Sequence, residues 1–82
     1  MKLPRDIRGS ELAALLGQYG YRVTRQTGSH IRLTSSRKGT EHHVTIPAHK
    51  QVSIGTLSAL VTDVARYLEM DRRELARVLF EG

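Results

Sequence analysis

The chain contains no cysteine, which excludes a disulfide framework and any thiolate metal site. It has no tryptophan and only four aromatic residues, Tyr19, Tyr21, Tyr67 and Phe80. That is little from which to build the stacking platform that usually holds single-stranded bases. No apolar run approaches the roughly 20 residues needed to span a bilayer, so no membrane partner is expected. The first residues, Met1-Lys2-Leu3-Pro4-Arg5-Asp6, are charged and lack an apolar core, so no signal peptide is expected. These absences fit a cytoplasmic location. The 82 residues make a single small domain. A chain of that size buries only about 60–65% of the surface it exposes when unfolded, so a bound partner adds noticeably to its persistence.

Acidic residues are scarce in one place. The formal net charge is +5, from 13 lysines and arginines against eight aspartates and glutamates. Between residues 21 and 50, six basic residues (Arg22, Arg25, Arg32, Arg37, Lys38 and Lys50) stand against Glu41 alone. The rest of the chain carries seven charges of each sign. The whole excess therefore lies in the middle segment, the electrostatic footprint of a nucleic-acid binder. Arginine dominates there, and its planar fork matches phosphate oxygens in pairs.

The apolar pattern sets the order of elements. Leu12, Leu15, Leu16 and Tyr19 follow the i, i+3, i+4, i+7 spacing of one helix face. Gly9 or Ser10 starts that helix, and Gly20 stops it in the left-handed conformation. Tyr21-Arg22-Val23-Thr24 alternates as a half-buried strand does, and so do the runs around Ile31 and Leu33 and around Val44 and Ile46. Thr27-Gly28-Ser29 is the turn between the first two strands. Residues 35–41 form a polar connector with Gly39 near its tip. Pro47 ends the third strand, and residues 48–52 form a loop. Leu57, Leu60, Val61, Val64 and Leu68 mark a second amphipathic helix running from Ser53. Asp71 with Glu74 reads as a capping box for a third, short helix, with Met70 stapled onto Leu75.

The result is an α+β chain of order α-β-β-β-α, the layout of double-stranded-RNA-binding domains, with a three-stranded antiparallel sheet. The core covers about residues 8–68 and a C-terminal helical extension covers 69–82. Period two puts Tyr21, Val23, Ile31, Leu33, Val44 and Ile46 on one face, which the two long helices must cover. The other face then shows Arg22, Thr24, Gln26, His30, Arg32, Thr34, His43 and Thr45. It is open, polar and basic, with His43 expected near His30.

Gly28-Ser29-His30 lies inside the basic stretch. Histidine takes or gives a proton near neutral pH, so an imidazole ringed by arginines suits the holding and cutting of a polyanion. A non-catalytic RNA-binding module fits the same face, and so does an interaction piece for an acidic protein. A metal fits badly. His42 and His43 are adjacent in a strand and point to opposite faces, and no cluster has zinc spacing. No cofactor is expected.

A string of residues carries a family resemblance: Tyr19-Gly20-Tyr21, then Arg25-Gln26-Thr27-Gly28-Ser29-His30, then Ile46-Pro47-Ala48-His49 and Gly55-Thr56-Leu57. Over roughly residues 10–62 the chain resembles the HicA toxins, small mRNA interferases of bacterial toxin–antitoxin pairs. In that family the histidine of the Gly-Ser-His turn is catalytic, and it falls here on His30. The resemblance implies a ribonuclease that cleaves mRNA without a metal, a HicB-type antitoxin as partner, and growth arrest when the toxin is free. Family members commonly end soon after the second long helix, whereas residues 64–82 here extend it and add another.

The chemistry such an enzyme needs can be assigned to residue types. The ribose 2′-hydroxyl lies beside the scissile phosphate and needs a proton acceptor. The leaving 5′-oxygen needs a donor, and the phosphorane needs positive charge. His30 serves as base or acid. Arg32, Arg25 or Lys50 stabilises the developing charge, with Gly28 and Ser29 shaping the turn that RNA approaches. His43 and His49 are the candidates for the second proton transfer.

Overall fold

The leucine spacing near the N-terminus folds as α1 (Gly9–Leu16), with Leu12 and Leu16 fully buried. The Glu11 carboxylate reaches back to accept from the Arg8 N–H at 3.0 Å and closes the first turn. A 3₁₀ turn (Gly17–Tyr19) tightens the end, and Gly20, at φ 83°, reverses the chain in the left-handed region. The computed structural model describes residues 2–81. Beyond Gly20 the chain forms β1 (Arg22–Thr27), β2 (His30–Ser35) and β3 (His42–Pro47), then α2 (Ile54–Leu68) and α3 (Arg72–Phe80).

The sheet is antiparallel with order β1-β2-β3. Ile31, Leu33, Val44 and Ile46 form its buried face. They share one core with Leu12 and Leu16 of α1 and with Leu57, Leu60, Val61, Val64 and Leu68 of α2. The helices therefore cover one face and leave the other open, as the alternation predicts. Ser53 caps α2 by accepting from the Thr56 N–H. Asp71 caps α3 by accepting from the N–H groups of Arg73 and Glu74. The other half of the expected capping box differs, because the Glu74 carboxylate accepts from Arg77, whose Nε lies at 3.1 Å. Leu75, Ala76 and Leu79 of α3 join the common core. Arg72 ties α3 to α2 by donating to the Thr62 hydroxyl at 2.6 Å and the Ser58 carbonyl at 3.1 Å.

One feature of the sheet departs from simple alternation. The β1–β2 register shifts between Val23 and Arg25, which is a β-bulge at Thr24. Val23 pairs with Leu33, but Arg25 pairs with Arg32, Gln26 with Ile31 and Thr27 with His30. Directly opposed residues share a face. Gln26, expected on the open face, therefore lies on the side of Ile31, and Arg25 comes onto the open face beside Arg32. Val23 is on the covered side as expected, but it is not in the core. It is 51% exposed, on a strand that forms an outer edge of the sheet.

At the end of the sheet remote from His30, a polar cluster is built into the packing. Tyr21 Oη and His42 Nδ1 are 2.6 Å apart, and His42 Nε2 lies 3.1 Å from Asp63 of α2. The His42 ring stacks on Tyr67, with centroids 4.7 Å apart. Burial pushes the Tyr21 hydroxyl well above the ordinary phenol range, with Tyr67 and Asp63 adding to the shift. The cluster joins β3 to α2 and to the residue that leads into β1.

A close backbone approach joins α1 to the end of β3. A Cβ placed on Gly9 would stand 1.7 Å from the Pro47 carbonyl oxygen, a contact that no rotamer change relieves. We expect Gly9→Ala to lower stability by about 1–3 kcal/mol through overpacking, measured by chemical denaturation. Gly28→Ala supplies the contrast. Gly28 is not in the left-handed region, and a Cβ there meets nothing within 4 Å, so the fold should tolerate it.

Candidate nucleic-acid interface

The site is built on the turn and strand that present His30. Gly28 and Ser29 form the two-residue connection between β1 and β2, and His30 is the first residue of β2. The His30 side chain is exposed. Ser29 Oγ lies 3.1 Å from His30 Nδ1, and Nε2 has no protein partner among the described residues.

Pairing across the sheet arranges the open face in three rows. Thr27, His30 and Pro47 form the first, Arg25, Arg32 and Thr45 the second, and Arg22, Thr34 and His43 the third. Neighbouring rows are separated by about 6.6–6.8 Å of strand, from a rise of roughly 3.3–3.4 Å per residue. Arg32 and Arg25 therefore stand one row from His30. His43 stands two rows away, about 13 Å along the strand, and not beside His30 as expected.

In the far row the Thr34 and His43 side chains are held by hydrogen bonds. His43 Nδ1 is 2.7 Å from Thr34 Oγ1, and Thr34 Oγ1 is 2.8 Å from Thr24 Oγ1. His43 Nε2 faces Glu41 at 3.7 Å, so the single acid of the middle segment lies at this end. Arg22, Arg25 and Arg32, by contrast, have no carboxylate partner among the described residues. The face carries uncompensated positive charge, least offset near His30.

The loop that carries His49 and Lys50 is pinned to the same end. The Ala48 N–H donates to the Ser29 carbonyl at 2.9 Å, so the loop starts against the turn itself. At its other end the Val52 N–H donates to the Ile7 carbonyl at 2.8 Å, beside an isolated bridge between Arg8 and Gln51. His49 and Lys50 are both exposed between these ties. The fold thus gathers Gly28, Ser29, His30, His49 and Lys50 at one end, with Arg25 and Arg32 in the next row, and sets His43 apart. Among the described residues, no group of three or more histidine, aspartate or glutamate side chains is placed to share a metal ion. No helix among them is long and apolar enough to cross a membrane.

Sequence reading missed two features here. The bulge brings Arg25 beside Arg32, and nothing in Thr24-Arg25 announces it, since neither glycine nor proline marks the spot. The pinning of residues 48–52 needs contacts with Ile7 and Ser29 that are far away in sequence. A signal was available for the His42 cluster, because alternation puts His42 on the apolar side of β3 with Val44 and Ile46, where a polar ring needs partners.

A search among curated proteins and a search among solved structures each return no match. A family model described as "HicA toxin of bacterial toxin-antitoxin" matches residues 9–67. The match starts at the first residue of α1, takes in the whole sheet and ends inside α2. α3 falls outside the match yet packs into the same core. With most of its length matched, including every element that builds the open face, the chain belongs to the HicA toxins of bacterial toxin–antitoxin systems.

Proposed function

We propose that this toxin is an endoribonuclease that cleaves mRNA without a metal, uses His30 for proton transfer, and is neutralised by a HicB-type antitoxin. The observation that carries the reading is the exposed His30 ring at the head of a face whose arginines lack acidic partners. If Nδ1–H is donated to Ser29 Oγ, Nε2 holds the lone pair of a base. It takes the proton of the ribose 2′-hydroxyl while that oxygen attacks the adjacent phosphorus. The P–O5′ bond breaks, and the leaving 5′-oxygen takes a proton from an acid. His49, on the loop pinned beside Ser29, is the better placed of the two candidates for that acid. Arg32 and Arg25 lie one row away and counter the charge that builds on the phosphorane. RNA supplies its own nucleophile, so this route needs no metal-bound water.

The test is incubation of the purified chain with labelled single-stranded RNA in excess chelator. Cleavage is expected. RNA that is bound but left intact would replace the nuclease reading with that of a binding module.

Binding itself should rest on phosphates, since none of the four aromatic residues lies on the open face. About five phosphate contacts on a single strand give a log–log salt slope near −3.5. We expect Arg25→Gln to reduce that slope by about 0.7, the share of one phosphate contact, in anisotropy titrations across salt.

A further inference from the structure

β1 is exposed at all six of its positions. It forms an outer edge of the sheet, so one side of its backbone has no ladder partner among the described residues. Such an edge is a template for another strand. Its two faces differ chemically. One carries Arg22 and Arg25, which have no acidic partner among the described residues. The other carries Val23, half exposed although it sits opposite the fully covered Leu33. RNA on the open face makes use of the arginines but offers nothing to Val23 or to the edge backbone.

We propose that the free edge of β1 receives an extended segment of the antitoxin as a fourth strand. Alternating acidic side chains of that strand face Arg22 and Arg25, and an apolar side chain covers Val23. A second copy of the chain is a poor occupant. Pairing β1 with β1 sets arginines against one another, and like charges opposed across strands destabilise the pair. The opposite edge suits the same strand less well. The groove of about 350 Å³ between β3 and α2 is lined by Val44 and Leu60, already buried, and by Asp63, which repels an acidic segment.

Neutralisation then works through charge. A strand that occupies Arg25 withdraws it from the row beside His30, so RNA phosphate and the antitoxin segment exclude one another without any contact to the imidazole. The competition rests on the RNA reading above, but the strand addition does not.

A synthetic ten-residue peptide alternating glutamate and valine, fluorescently labelled, serves as the probe, with a fully N-methylated twin that keeps the side chains but donates no ladder hydrogen bond. The full chain is expected to capture the peptide saturably and to ignore the twin. Hydrogen exchange is expected to slow at the amides of residues 22–27. Val23→Gln should weaken capture about tenfold, the effect of losing a half-buried valine contact, and leave RNA retention unchanged. Failure to capture the peptide, equal capture of the twin, protection on β3 in place of β1, or an equal loss of RNA retention in Val23→Gln would each overturn the proposal. No RNA cleavage is read, so the nuclease reading stands or falls separately.

Discussion

Replacing His30 with alanine is expected to abolish RNA cleavage by a factor of about 10²–10⁴, the usual contribution of a positioned proton-transfer group. The residue is exposed, and the one hydrogen bond its ring makes among the described residues is with the Ser29 hydroxyl. Its removal should therefore change stability by no more than about 0.5 kcal/mol. Salt-dependent RNA binding should persist, because Arg22, Arg25 and Arg32 are untouched. The combination of lost cleavage, retained binding and an unchanged melting curve separates a catalytic role from a structural one. His43→Ala is the internal control. Its ring lies two rows away and is held by Thr34 and Glu41, so cleavage should fall far less. His49→Ala should fall between the two if His49 supplies the second proton. In cells, induced wild-type protein should stop growth and deplete mRNA together, and the His30→Ala protein should do neither.

The second large effect concerns the substrate. A strand with 2′-deoxyribose at every position has phosphates as good as those of RNA but no internal nucleophile. Binding should be similar at matched salt, and cleavage should vanish. On the proposed mechanism the discrimination comes from chemistry on the strand, not from a pocket that senses the hydroxyl. Cutting of the deoxy strand at a comparable rate would mean that water, activated by the protein, is the attacking group.

Much of the architecture was legible in the residues. The leucine spacing of residues 12–16, the short alternating runs and the Leu57-to-Leu68 stripe each dictate one element, and their order leaves one sheet face uncovered. The place of His30 at the start of β2 was legible too, because a two-residue turn fixes where the next strand begins. The family was legible in the string around Gly28-Ser29-His30 and Ile46-Pro47-Ala48-His49, and the match over residues 9–67 agrees with it. The role proposed for His30 rests on that resemblance and on its exposure, not on periodicity.

What could not be read depends on contacts between distant segments. A bulge is a register event between two strands, so neither strand announces it alone, and period two misplaces Gln26 and Arg25 beyond it. The exposure of Val23 goes with the place of β1 at the edge of the sheet, which the strand order sets and the alternation of β1 alone does not. The separation of His43 from His30 depends on the β2–β3 register, which pairs His30 with Pro47 and Thr34 with His43. Gly9 starts α1 as its place in the sequence suggests, but its close approach to Pro47, directly opposite His30 in the sheet, is a contact between distant segments that no local pattern announces. That contact fixes the end of β3 from which the His49 loop departs.

The most direct measurement is the chemical identity of the cut ends, by mass spectrometry of a short RNA incubated with the purified chain in chelator. A proton-accepting imidazole that acts on the neighbouring ribose oxygen leaves a 2′,3′-cyclic phosphate on one fragment and a 5′-hydroxyl on the other. Fragments that end in a 3′-hydroxyl and a 5′-phosphate would contradict the account.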